Sequence, residues 1–316
     1  MSLAAKLLKG DVAAAARLIT LIEDESPDAL KEMASLYPHT GRAYVIGVTG
    51  APGVGKSTLT DGLIGVFRRQ EMSVGVIAID PTSAMTGGAL LGDRIRMQRH
   101  AADPDVFIRS LATRGWVGGL AKAAIGAGHV MDAMGKGVIL LETVGSGQVE
   151  LDIVKAADTT LLVLAPGAGD EIQTMKAGIL EAADVIAINK ADREGAEQLK
   201  ADLEAMLAMK PRPKSDWLPP VILTEAINDK GTAELSDALL KHYEYLKASG
   251  NLARRRRERV KLELLETIEA DLKEMIHGLD CGAYLEKLVE DIQKGKMSPQ
   301  QASGEIIARI LDKKVK

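Results

Sequence analysis

The chain has 316 residues, 46% of them hydrophobic and 27% charged, which fits about two domains of ordinary globular composition and excludes a disordered or collagen-like chain. Aromatic residues make up only 3%, so the core is expected to be aliphatic, as where helices cover buried parallel strands, and stacked-base recognition of single-stranded nucleic acid has few platforms. A net charge of −4 supplies no global field toward nucleic acid or anionic lipid, and a single cysteine, Cys281, with five scattered histidines excludes a disulfide framework and a cysteine zinc cage and points to a reducing cytoplasm.

In chain order, helical periodicity runs from Leu3 to about Asp24 as one amphipathic helix, with Lys6, Lys9, Asp11 and Arg17 interrupting it too early for a signal peptide. A second helix covers Pro27 to Leu36, with Ser26 as N-cap and proline at the first helical position. At Tyr44–Thr49 the pattern changes to a buried strand ending in a glycine-rich turn, and similar strands are expected at 73–79, 137–141, 160–164, 184–188 and 221–224. Helical patterns fill most gaps, at 57–70, 120–134, 173–183 and 196–209. This alternation predicts an α/β fold, a mainly parallel sheet flanked by helices. After Asn251 the apolar strands stop, and helices follow at 252–278, 284–295 and from Ser298-Pro299 onward. The expected organisation is an N-terminal helical extension (1–41), an α/β domain (42–250) and a C-terminal helical arm (251–316). The run Arg254–Arg257 reads as a solvated helix face or dimer rim. No stretch approaches 18 uncharged apolar residues, so no membrane span is expected.

Gly50-Ala51-Pro52-Gly53-Val54-Gly55-Lys56-Ser57 matches G-x-x-x-x-G-K-S/T between a strand and a helix, the context a P-loop requires. The glycines let backbone N–H groups turn inward on a phosphate, and the helix N-terminus adds polarity of the right sign. Lys56 is placed to span the β- and γ-phosphates, Ser57 to bind Mg²⁺, and Thr58 to pack near the α-phosphate.

Asn189-Lys190-Ala191-Asp192 follows a strand at the carboxyl end of the sheet and has the N-K-x-D pattern of GTPases. A carboxylate at Asp192 accepts from both N1–H and the 2-amino group of guanine, whereas adenine offers neither donor, so the expected ligand is GTP or GDP. Asp80 and Glu142 end strands on the P-loop edge and supply the hard oxygens Mg²⁺ prefers. Glu142-Thr143-Val144-Gly145 stands where many GTPases carry D-x-x-G, with Gly145 offering its N–H to the γ-phosphate. Gln148 and Glu150 follow in the same loop, where either can position the attacking water.

Several segments together, Ile79–Ser83, Thr86–Asp93, Glu142–Gln148, Pro166–Glu171 and Asn189–Asp192, resemble the MeaB/ArgK family of P-loop GTPases in order and spacing over roughly residues 40–195. The resemblance implies a chaperone of an adenosylcobalamin-dependent acyl-CoA mutase, typically methylmalonyl-CoA mutase, that gates cofactor loading and protects or restores the mutase. It also implies a homodimer joined partly through the C-terminal arm, a magnesium site near Asp80, Asp93 and Glu142, and a partner-sensing loop at 166–173. The sequence departs from the usual family wording at Asp80-Pro81-Thr82-Ser83-Ala84 and Gly145–Glu150. Three other functions compete. A metal-insertion GTPase of the nickel-chaperone kind needs Cys or His ligands that one cysteine and scattered histidines do not supply. An ATPase or kinase associated with amino-acid transport is opposed by Asp192, and a nucleotide-switched scaffold would turn over negligibly with any mutase.

Overall fold

The computed structural model describes residues 1–80, 98–100, 102–112, 119–143, 155–167, 177–209, 216–278 and 283–314. Aliphatic runs form seven strands: β1 (Tyr44–Thr49), β2 (Val74–Asp80), β3 (Val106–Ala112), β4 (Val138–Glu142), β5 (Thr159–Leu164), β6 (Val185–Asn189) and β7 (Val221–Thr224). All pair in parallel, in the order β3-β2-β4-β1-β5-β6-β7. The chain moves outward from β1 through β2 to β3, returns through β4, and continues on the other side through β5 to β7. The reversal beside β1 opens the crevice at the carboxyl ends where doubly wound sheets bind ligands.

Six of these strands coincide with the expected ones to within a residue or so. β3 is not among those the sequence predicts. It reads Val-Phe-Ile-Arg-Ser-Leu-Ala, and Arg109 and Ser110 break the continuous apolar run that marks the central strands. As the sheet's edge it tolerates them, because residues 106–110 are only partly buried.

The helices are α1 (Leu3–Leu7), α2 (Val12–Glu23), α3 (Pro27–Leu36), α4 (Lys56–Arg69), α5 (Gly119–Ala133), α6 (Ala177–Ala182), α7 (Ala196–Met209), α8 (Thr232–Ala248), α9 (Asn251–His277), α10 (Ala283–Gln293) and α11 (Pro299–Lys314). The single helix expected over 3–24 is in fact two. Gly10 takes a left-handed φ of 91°, and the Asp11 side chain caps α2 by accepting from Ala14 N at 3.0 Å. Of the helix expected over 173–183, the described part is α6.

Met1–Arg255 form one compact unit and Arg256–Lys316 a second. In the first, α4 and α8 cover one face through Leu59, Leu63, Phe67, Leu235 and Leu239. On the opposite face α1 to α3 pack with α5 over β2 and β4, through Leu7, Leu18, Ile19, Leu36, Met131 and Ile139. The Asp132 carboxylate accepts from the backbone N–H groups of Gly41 (2.6 Å) and Ala43 (3.0 Å), which fixes where β1 begins. A third cluster, with Ile179, Leu203 and Leu207, seats α6 and α7 on β5 to β7.

At the amino edge of the sheet a buried polar chain stands in place of further aliphatic packing. Tyr44 Oη donates to the Leu239 carbonyl (2.8 Å) and lies 2.7 Å from Thr159 Oγ1, which is 2.8 Å from His242 Nδ1. Asp184 accepts two hydrogen bonds from Arg255, both at 2.8 Å, and one from Thr160 N at 2.9 Å. Arg255 is therefore no solvated member of its basic run but the partner of a buried carboxylate. In the second unit Leu288 on α10 and Ala302 on α11 are buried, and the Arg309 guanidinium of α11 lies 4.1 Å from the ring centre of Tyr284 on α10. Among the described residues no helix is long and apolar enough to cross a membrane.

Candidate nucleotide site

The loop between β1 and α4 owes its path to three glycines in the left-handed or extended-positive region, Gly50, Gly53 and Gly55, with φ of 146°, 79° and 97°. Two of them are also sterically obligatory. A Cβ on Gly50 would overlap the Val163 carbonyl of β5, and one on Gly55 would overlap the Asn189 side-chain nitrogen. The loop is thus pressed between β5 and the end of β6 before any ligand is considered.

Within this cradle Lys56 is 6% exposed, and its Nζ donates to the carbonyls of Gly50 (2.7 Å) and Ala51 (3.0 Å). The ammonium sits among carbonyl oxygens of the loop, a place from which it can turn to phosphate oxygens. Ser57 Oγ donates to Glu142 Oε1 at 2.5 Å, and both side chains are buried. Glu142 is the last residue of β4 and pairs in register with Val48 of β1, so its position is set by the sheet. A hydroxyl and a carboxylate in contact at a helix N-terminus are hard oxygen donors of the kind magnesium takes beside phosphate. These residues fit that ion. Asp80 ends β2, two residues beyond the Ala78 that is in register with Glu142, at the same edge. Asp93, Gly145, Gln148 and Glu150 lie outside the described residues, as does most of 166–173.

The segment Asn189–Asp192 is joined to the cradle by two direct contacts. Asn189 Nδ2 donates to the Val54 carbonyl at 2.9 Å, and Lys190 Nζ donates to the Gly53 carbonyl at 2.7 Å. Asn189 Oδ1 accepts from Ala226 N at 3.0 Å and lies 3.3 Å from Thr224 Oγ1, so this one buried side chain ties β6, the P-loop and the turn after β7 together. Lys190 takes the left-handed conformation, φ 59°, which turns the chain sharply at this point. Asp192 follows in an exposed turn, its carboxylate open to a ligand. The segment Thr224-Glu225-Ala226, which ends β7 and turns away from it, braces Asn189 in a way that sequence reasoning missed, since no spacing rule marks ordinary residues at the close of a short strand. Only the register Asn189–Thr224 between β6 and β7 brings it there.

Comparison with known proteins points to one family and one fold. The profile of the family described as "Methylmalonyl Co-A mutase-associated GTPase MeaB" matches residues 15–279. A Pyrococcus abyssi protein carrying the name "Putative GTPase" is 47% identical over 308 residues, covering 97% of this chain and 95% of its own. The "Methylmalonic aciduria type A homolog, mitochondrial" of Caenorhabditis elegans is 32% identical, covering 95% and 80%. A crystal structure titled as a LAO/AO transport system kinase superposes with a TM-score of 0.71 at 25% identity, covering 98% of this chain and 96% of that one.

Proposed function

Because the chain belongs to the MeaB family of GTPases, we propose that it binds and hydrolyses GTP with magnesium and serves as a nucleotide-switched chaperone of an adenosylcobalamin-dependent acyl-CoA mutase, methylmalonyl-CoA mutase by the family's description. The observation that carries the nucleotide reading is the brace of Asn189 and Lys190 on Val54 and Gly53, which holds the Asp192 turn next to the phosphate cradle. Asp192 accepts from the two guanine donors, and Lys56 exchanges the Gly50 and Ala51 carbonyls for β- and γ-phosphate oxygens. Ser57 and Glu142, with Asp80 and Asp93, are the residues assigned to magnesium, which when bound offsets the phosphate charge. Gly145 offers its N–H to the γ-phosphate, and Gln148 or Glu150 orients the attacking water.

The expected loops supply no evident arginine finger, so turnover is slow for the chain alone. Mutase contact at 143–150 and 166–173 completes the site, and by linkage the nucleotide changes mutase affinity in return. Leu264, Leu265, Ile268 and Leu272 recur at helical spacing on α9 and are exposed in the single chain, which supports a homodimer through the C-terminal arm. Single-turnover hydrolysis with and without a cobalamin-dependent acyl-CoA mutase, paired with mutase affinity in the GDP and GTP-analogue states, tests the chaperone reading. A faster rate with mutase and a state-dependent affinity are expected. No change in either overturns it and leaves a bare GTPase.

A further inference from the structure

The two halves of α9 carry opposite charge. Six of the eight residues 254–261 are arginine or lysine, with Glu258 the one acid, whereas residues 263–274 hold five carboxylates and the single cation Lys273. Of these cations Arg255 is engaged by Asp184, and Lys273 pairs with Glu269 at 2.8 Å. Cations toward the amino end and acids toward the carboxyl end gain nothing from the helix dipole, which favours the reverse. The stability of the lone helix therefore does not account for the segregation.

Along the same helix Val260, Leu264, Ile268 and Leu272 follow at intervals of four, each between 45% and 58% exposed. At 3.6 residues per turn such a row drifts only about 40° at each step, so all four residues share about a third of the circumference. The row stays exposed although α10 and α11 belong to the same unit.

We propose that this row is the seat of a second copy of the chain whose α9 runs antiparallel to the first. The inference rests on the homodimer reading above and adds its orientation. Reversed about the midpoint between Leu264 and Ile268, the row is its own complement. Val260 then faces the partner's Leu272, Leu264 faces the partner's Ile268, and Lys261 faces the partner's Asp271, each contact being made twice by two-fold symmetry. A parallel pair buries the same apolar row but sets basic half on basic half and acidic half on acidic half, like charges that cost affinity. A different protein would have to present both signs in the right order, which a second copy does by identity.

Dipolar spectroscopy on the full chain, spin-labelled at Glu258→Cys in a Cys281→Ser background, reads the orientation. The two labels should lie roughly 24 Å apart or more in the antiparallel pair, the rise of sixteen residues, against roughly 10–15 Å for parallel neighbours. Charge reversal is the second arm, with sedimentation equilibrium reading the dimer dissociation constant. Lys261→Glu and Asp271→Lys, both at exposed positions, should each weaken the dimer roughly tenfold, and the double variant should return it to within about threefold of wild type. Only the antiparallel arrangement puts these two positions opposite each other. A short label distance overturns the proposal, and so does a double variant as weak as the singles. Leu264→Glu, a change at an exposed side chain, separates the failures. If it abolishes the dimer while the orientation tests fail, the homodimer through the arm stands and only its direction falls. If wild type is monomeric, or Leu264→Glu dimerises as wild type does, the homodimer reading itself falls, and loss of mutase binding in Leu264→Glu of a monomeric protein would assign the row to the mutase instead.

Discussion

Replacing Asn189 by alanine separates two roles that the N-K-x-D pattern does not distinguish, bracing of the site and contact with the nucleotide. In the structure the side chain is 3% exposed and its three polar contacts go to Val54 O, Ala226 N and Thr224 Oγ1. At about 1 kcal/mol net for each hydrogen bond, Asn189→Ala should destabilise the nucleotide-free protein by about 3 kcal/mol. For a unit of this size that lowers Tm by roughly 6–12 °C. GTP affinity should fall as well, because the Asp192 turn is no longer held against the P-loop. Gly55→Ala should reproduce both effects through the same atom, since its Cβ would displace the Asn189 nitrogen. Thermal denaturation without nucleotide, followed by calorimetric GDP and GTP titrations, reads both quantities. An Asn189→Ala protein as stable as wild type, with only its nucleotide affinity reduced, would refute the bracing argument.

Lys56→Ala removes at least one charge-assisted hydrogen bond to phosphate, typically about 1.5–3 kcal/mol, so GTP affinity should drop at least roughly ten- to 100-fold; unchanged affinity by calorimetry would contradict the P-loop assignment. Asp192→Asn should weaken GTP binding by about 3 kcal/mol for two charged hydrogen bonds while favouring xanthine nucleotides, which replace the 2-amino donor by an acceptor, and equal wild-type affinity for ATP and GTP would refute the guanine reading. Burial lowers the His242 imidazole to about 4 from its ordinary 6.5, with the Arg255 charge adding to this and Asp184 opposing it. Because the unfolded chain takes up this proton first, stability is unaffected above about pH 6.5 and falls between about pH 6.5 and 4, by about 3 kcal/mol in all from this group. His242→Gln should show a shallower acid limb in denaturant titrations across that window; parallel curves would show that the imidazole is not the group responsible.

What the sequence made legible was what is local along the chain. The P-loop needs eight consecutive residues, and each of their roles follows from a fixed offset to one strand end and one helix start, so Lys56 and Ser57 could be assigned without knowing the sheet order. Glu142 was singled out the same way, as the polar residue ending an apolar run, and the structure sets its carboxylate against Ser57 Oγ. The contacts that spacing could not reveal all join segments far apart in sequence, with partners chosen by strand order. Asn189 reaches Val54 because β5 alone separates β1 from β6, and Ala226 because β7 flanks β6 in register. Arg255 looks like solvent-facing charge within Arg254–Arg257, yet its partner Asp184 lies 71 residues away, just before β6. Asp61 falls within the helix expected over 57–70, and it is buried beneath a segment absent from the sequence reading, the approach to β3, whose Arg99 pairs with Asp61 Oδ2 at 2.6 Å. The missed edge strand and the missed carboxylate thus have one cause. A strand with arginine and serine in its middle gives no apolar signal, and without that strand nothing in the sequence places Arg99 beside the phosphate helix.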